Sequence, residues 1–336
     1  MSVVCSAPTR IDLAGGTIDI WPIYLFHPGA MTVNFALSLR ASVRLETRND
    51  DRIILESRDR GVRVETTLDR IDDLARDEQL ELVSKMVHFF RPEQGLHLVA
   101  NSEAPAGAGI SGSSALAIAL IGALNRLVGN RYEERKFITI AANIETRVIK
   151  VPAGFQDYYP AFYGSASCIH FRADGIEREL LSLDLDEIGR RFVICYTGEP
   201  RNSGINNWAI FKRHIDGDAQ VFEIFENIRE AAANIRAALL RNDWPRVAEV
   251  MREAYPNRKR LAPGLTTPQM DALVEKALAH GAEAAKVCGA GGGGCIAFLC
   301  SPERKQDVAN ALSTEEGAQI LDWKVSREGL IVNEID

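Results

Sequence analysis

Apolar and polar residues alternate along "VVCSAPTRIDLA" and "MTVNFALSLRASVRLETR", with β-branched side chains frequent, and this period of two predicts half-buried strands. "DRIILESRDRGVRVE" continues the alternation through a glycine-containing turn. "ELVSKMVHFFRP" predicts a short helix stopped by Pro92, and "GLHLVANS" the strand after it. From Ser113 to about Val128, Leu116, Leu120, Leu124 and Leu127 recur at helical spacing, and Gly129 closes the run. A second helix is expected over about 133–150, before "VPAGFQDYYPAFYGS". "SCIHF" and "RRFVICYTG" read as strands, residues 203–257 as two or three helices, and 268–280 as another. The remainder predicts two apolar strands around a glycine tract in "AAKVCGAGGGGCIAFLC", a helix over "PERKQDVANAL" and a strand over "LDWKVSREGLIV".

With 336 residues the chain exceeds what one core usually reaches, so two domains are expected, with the acidic-polar "SLDLDEIGRR" near 182–191 as the junction. Hydrophobic residues at 46%, charged residues at 25% and a net charge of −7 describe an ordinary globular protein and speak against a polyanionic partner such as nucleic acid. The N-terminus lacks a basic stretch followed by an apolar one, and no window approaches the roughly 18 apolar residues of a membrane helix. A cytosolic (cytoplasmic) location is the expectation. The six cysteines form no C-x-x-C pair and the six histidines no H-x-x-x-H spacing, so no zinc site is visible and buried, reduced thiols are expected.

The chemistry gathers in glycine loops. "APAGAGISGSSAL" satisfies G-x-G-x-x-G with Gly107, Gly109 and Gly112, but Pro105 and the run from Asn101 separate it from the preceding strand, and a dinucleotide fingerprint leaves its serines without a role. A Walker A loop is excluded, since no Gly-Lys-Ser/Thr follows. Bare backbone N–H groups at a helix N-terminus, with Ser111, Ser113 and Ser114 beside them, read as an anion cradle. An N-capping serine after a flexible loop is the structural alternative. "GEPRNSGINNW" places Arg201, Asn202 and Ser203 between a strand and a helix, where Arg201 is suited to grip a substrate phosphate.

"RIDLAGGTID", "PAGAGISGSSAL" and "KVCGAGGGGCIAFL", in that order, resemble the three motifs of the galactokinase, homoserine kinase, mevalonate kinase and phosphomevalonate kinase (GHMP) superfamily, and the likeness runs from Pro8 to Phe298. It implies an α+β fold: an N-terminal mixed α/β domain, about 1–186, and a C-terminal ferredoxin-like domain, about 187–336. It also implies an ATP- and Mg²⁺-dependent kinase acting on a small-molecule hydroxyl. In the middle motif Pro105, Gly107, Ala108, Gly109, Ser111, Gly112, Ser113 and Ser114 would wrap the ATP phosphates, with Ile110 in the family's Leu position. Gly112 inside the serine run favours Ser113 as magnesium ligand, with Ser114 in reserve.

"ETRVIKVPAGFQDYY" matches a glutamate preceding a G-x-x-D element. By analogy Glu145 binds Mg²⁺, Gly154 borders the substrate and Asp157 accepts the hydroxyl proton; among aromatics, Asp157 is expected to be partly desolvated. Arg10 is implied to lie near the transferred phosphoryl group and Asp19 to bind substrate hydroxyls, while Gly291 and Gly292 of the third motif help form the substrate surface. Gly16-Thr17 replaces the Glu-His of galactokinases. The Leu-Ala-Gly-Gly run and "QDYYPAFYG" look more like D-glycero-D-manno-heptose 7-phosphate kinases, with Tyr158 where those carry a second Gln. A sugar or sugar-phosphate acceptor and a possible homodimer complete the expectation. A mevalonate-type kinase and a catalytically silent nucleotide-binding regulator are the alternatives.

Overall fold

The computed structural model describes residues 1–201, 207–261 and 264–335. In chain order the elements are β1 (Ser2–Ala14), β2 (Met31–Thr47), β3 (Arg52–Ser57), β4 (Val62–Thr67), α1 (Glu81–Phe90), β5 (Leu96–Ser102), α2 (Gly112–Leu127), α3 (Phe137–Ile149), α4 (Tyr158–Tyr163), β6 (Ala166–Arg172) and β7 (Gly175–Leu180). Then follow α5 (Leu185–Arg191), β8 (Phe192–Tyr196), α6 (Asn207–Ile215), α7 (Ala219–Leu240), α8 (Trp244–Leu261), α9 (Pro268–Ala279), β9 (Ala282–Val287), β10 (Cys295–Cys300), α10 (Lys305–Leu312), β11 (Gln319–Ile320) and β12 (Ile331–Ile335).

Among the described residues the strands form two sheets, and the fold is α+β with two domains. The first sheet runs β12-β1-β2-β5-β3-β4, with β6 and β7 attached through β2. The long β2 pairs β6 with residues 31–35 and β5 with residues 41–47, so one strand serves two partners along one edge. Helix α2 packs on this sheet and is buried almost all round, as expected of "GSSALAIALIGAL", which has no polar face. The second sheet, β11-β8-β10-β9, is antiparallel throughout, with helices between β8 and β9 and again between β10 and β11. That is the ferredoxin-like order.

Three expected segments take a more particular form. "SLDLDEIGRR", the expected junction, holds a short helix: Asp184 accepts from the N–H groups of Asp186 and Glu187 and caps α5, whose acids sit in its first turn and arginines in its last. Still, α5 lies in sequence between the last strand of the first sheet's β6–β7 pair and the first strand of the second sheet. The strand expected over "LDWKVSREGLIV" forms only from Ile331. Before it, the chain fills the gap on β2 between β5 and β6 with a single bridge, Leu37 to Val325, and stacks Trp323 on Phe35 at 5.7 Å. β12 then joins β1 antiparallel, so the last residues complete the first sheet rather than the second. The helix expected over about 133–150 begins as a 3₁₀ turn at Glu134–Lys136 before α3.

Candidate active site

The glycine loop joins β5 to α2, and α2 is followed by α3 rather than by a parallel strand, so the dinucleotide geometry is not built. Gly107 and Gly109 adopt φ of +68° and +74°, and a Cβ on Gly107 would lie 2.7 Å from Pro200. Ser111 precedes α2 in the left-handed region at φ +64° and makes no side-chain cap, and its buried hydroxyl has no partner among the described residues. The N-capping alternative is therefore not realised, and the first turn of α2 keeps its N–H groups open.

In the first turn of α2, Ser113 and Ser114 donate to the two oxygens of Glu145, at 2.5 and 3.1 Å, and the Tyr158 hydroxyl donates to the same carboxylate at 2.7 Å. Glu145 and Ser114 are buried, whereas Ser113 is exposed. Burial pushes the Glu145 carboxyl up, against the hydrogen bonds from Ser113 and Tyr158. Tyr158, where the heptose kinases carry a Gln, thus fills a definite place as a buried donor to Glu145.

Beside this cluster Arg10 gives Nε and Nη2 to Oδ1 of Asp157, at 2.8 and 2.6 Å, and its Nη1 faces the Gly109 carbonyl at 3.3 Å. Arg10 is buried, not a solvated strand residue. Burial opposes its charge, but Asp157 and Asp12 outweigh burial and raise its pKa. Asp157 stands at the start of α4 without making a side-chain cap, and among the described residues its Oδ2 has no hydrogen-bond partner. The side chain of Asp157 is 27% exposed, whereas Asp19 is fully buried, and burial and the nearby Asp157 charge push Asp19 up to about 7. Asp19 accepts from the N–H groups of Thr17 and Gln156, both at 3.0 Å. Gly154 is required there, since a Cβ would stand 2.2 Å from Asp19 Oδ2.

The third glycine tract joins β9 to β10 and rests on the middle loop: the Cys295 N–H donates to the Ala108 carbonyl at 2.8 Å, and a Cβ on Gly294 would meet that carbonyl at 2.7 Å. Gly291 and Gly292 pack on Leu265 rather than on Asp157 or Asp19. Arg201 donates its N–H to the Gly107 carbonyl, and its side chain lies against Gly109 and Gly289. Asn202 and Ser203 lie outside the described residues. All six cysteines are buried and free.

Three charged residues escaped sequence reasoning. Asp12 is buried, pairs with Lys286 Nζ at 2.6 Å and lies 3.5 Å from Arg10. Arg258, in the last turn of α8, donates to the carbonyls of Gly16 and Gly289 at 3.2 and 2.8 Å. A pocket opens beside Gly15, Arg258 and Lys286, with Leu13, Met251 and Leu265 in its otherwise apolar wall. The signal for Lys286 was a lysine inside the apolar run "AEAAKVC", where a charge has little reason to sit without a buried partner.

The sequence matches the model of the GHMP kinases N terminal domain over residues 81–165 and that of the GHMP kinases C terminal region over 235–319, together about half of the chain. The chain belongs to the GHMP kinase family. It is 25% identical to the D-glycero-alpha-D-manno-heptose 7-phosphate kinase of Campylobacter jejuni over 96% of each chain. It is 28% identical to the mevalonate kinase of Thermococcus onnurineus, over 100% of this chain and 99% of that one. The crystal structure of a D-glycero-D-manno-heptose 1-phosphate kinase from Bacteroides thetaiotaomicron superposes with a TM-score of 0.80 at 23% identity, over 99% of both chains, which shows the shared fold. Membership makes this protein a kinase-class phosphotransferase, and GHMP kinases use ATP, generally with Mg²⁺. No helix among the described residues is long and apolar enough to cross a membrane.

Proposed function

We propose that this GHMP kinase transfers the γ-phosphoryl group of ATP to a hydroxyl of a sugar or sugar phosphate. The observation that carries the reading is Asp157, held through one oxygen by buried Arg10 while its other oxygen accepts no hydrogen bond among the described residues, next to the open first turn of α2. Asp157 Oδ2 takes the proton of the acceptor hydroxyl as that oxygen attacks the γ-phosphorus and ADP departs. Arg10 balances negative charge on the phosphoryl oxygens, and the N–H groups around Gly107, Gly109 and Ser111–Ser114 receive the other phosphates. Pro105 and Ala108 shape that loop, the Ala108 N–H donating to the Pro105 carbonyl.

Glu145 and Ser113 are hard oxygen donors of the kind Mg²⁺ prefers, and the exposure of Ser113 favours it over buried Ser114. When bound there, the ion supplies charge neutralisation to the phosphates. Asp19, positioned by Gly154, is the acceptor-facing carboxylate, Arg201 is a candidate for a substrate phosphate, and Gly291 and Gly292 support the third loop. The domains are taken as about 1–186 and 187–336, with β12 returned to the first. The sugar assignment is supported by the 25% identity to the heptose kinase and by the "LAGG" and "QDYY" runs. A mevalonate-type acceptor is the second reading, favoured by 28% identity to an archaeal mevalonate kinase.

The test is ADP release with Mg²⁺-ATP against free hexoses, heptoses, their terminal phosphates and mevalonate, with Asp157→Asn alongside. Turnover on one sugar class, lowered about 10²- to 10⁴-fold in the variant with ATP still bound, is the expected result. Turnover on mevalonate alone selects the second reading; silence on every acceptor with ATP bound leaves a nucleotide-binding regulator.

A further inference from the structure

Four charges alternate across the two domains. Lys286 Nζ lies 2.6 Å from Asp12 Oδ2, Asp12 Oδ1 lies 3.5 Å from Arg10 Nη1, and Arg10 holds Asp157 Oδ1 at 2.6 and 2.8 Å. Lys286 belongs to β9 of the second sheet, Arg10 and Asp12 to β1 of the first. Arg10 therefore has two carboxylates within reach, and the choice between them decides whether Asp157 is held. The competition is built into the strand, because residues two apart share a face. Asp12 Oδ1 is buried and accepts no hydrogen bond among the described residues, so it has capacity to take the guanidinium.

We propose that Lys286 is a positioning residue for phosphoryl transfer: by engaging Asp12, it keeps that carboxylate from drawing Arg10 off Asp157. The proposal rests on the roles given to Arg10 and Asp157 above. Burial works against the Asp12 charge, and Lys286, Arg10 and Arg258, in that order, more than offset it, so the carboxyl stays below its usual range. Arg258 cannot replace Lys286, since its guanidinium is committed to the carbonyls of Gly16 and Gly289. Without Lys286, Asp12 would be a buried anion whose nearest remaining cation is Arg10, and an unpaired buried charge strongly attracts a partner. The guanidinium would turn toward Asp12 and release the base. Since β9 leads directly into the third glycine tract, the same lysine ties that loop to the reacting groups.

The experiment follows the Arg10 Nε–H resonance in the ¹⁵N-labelled full chain, assigned by its loss in Arg10→Lys, in wild type, Lys286→Met, Lys286→Arg and the double variant Asp12→Asn/Lys286→Met. In Lys286→Met the resonance should shift and exchange with water faster, and kcat should fall about 100-fold with KM for ATP little changed, as a misplacement of about 1 Å produces. Lys286→Arg should keep the wild-type resonance. The double variant, with no uncompensated carboxylate, should recover most of the lost kcat, which a loss of packing would not allow, and it remains testable if Lys286→Met fails to fold. An unchanged Arg10 resonance in Lys286→Met, or a double variant no better than that single variant, would overturn the proposal. Absence of turnover in wild type on every acceptor counts against the kinase reading instead, while the resonance still tests the positioning.

Discussion

Glu145 and Asp157 are two carboxylates of one site held by opposite means. Three neutral hydroxyls, from Ser113, Ser114 and Tyr158, surround Glu145; a buried guanidinium grips Asp157. Hydroxyl donors leave the negative charge of Glu145 uncompensated, which suits a site completed by a cation. Arg10 already balances Asp157, so that carboxylate has less call on a metal ion. The two regions also differ in assembly. The hydroxyl cluster comes from α2, α3 and the start of α4, all within one domain, whereas the charges around Arg10 come from β1, the start of α4 and β9.

The comparison breaks most visibly at Glu145. Glu145→Gln should raise the Mg²⁺ concentration needed for half-maximal turnover at least about tenfold, the scale expected when a metal ligand loses its charge, whereas Asp157→Asn should lower kcat at unchanged Mg²⁺ dependence. Magnesium titrations of both variants check this, and identical Mg²⁺ curves would mean that the two carboxylates are not divided as described.

Gly154→Ala is the next largest effect. Its Cβ would fall 2.2 Å from Asp19 Oδ2, so the carboxyl or the 153–157 segment must move, at a cost of about 1–3 kcal/mol in stability. Denaturant midpoints should report that loss, and the KM for the acceptor should rise more than the KM for ATP. An equal rise in both would detach Asp19 from the acceptor.

The smallest effect sharpens the electrostatics of the acceptor side. Burial raises Asp19 from 3.8 to about 7, so the folded protein holds this proton where the unfolded chain has released it. The stabilisation is present in full below about pH 4 and is lost as pH rises through about 7, where both states are ionised. Wild type should therefore lose thermal stability relative to Asp19→Asn between about pH 4 and 7 in the absence of ligands, and the difference should level off above that window. Glu145, also raised by burial, slopes the same way and is common to both proteins. Parallel melting curves across the window would show that Asp19 is not buried as an isolated acid.

Much of this architecture was legible from patterns of short range. The strands of the first sheet, helix α2 and the glycine loops follow from alternation, helical spacing and glycine placement, each set by a residue's near neighbours along the chain. Glu145 and Asp157 were singled out through the family resemblance, which their short segment of helix, turn and carboxylates made easy to match. Less legible was "SLDLDEIGRR", where a capping aspartate and charges matched to a helix dipole gave the composition of a linker. The segment 321–330 kept a strand-like pattern because its apolar residues are buried, although it bridges a gap in β2 instead of extending a ladder.

By itself the sequence determined most of the element types and the order of the three glycine loops, since these depend on spacing along the chain, and through its resemblance to a known family it named the residues proposed here to touch phosphate or metal. Only the tertiary structure decided that β12 closes the first sheet, that Asp19 is the fully buried acid beside Asp157, and that Lys286 and Asp12 stand behind Arg10. Those outcomes depend on which distant side chains share a low-dielectric interior, where a charge must find a partner across the fold, and spacing along the chain carries no record of that meeting.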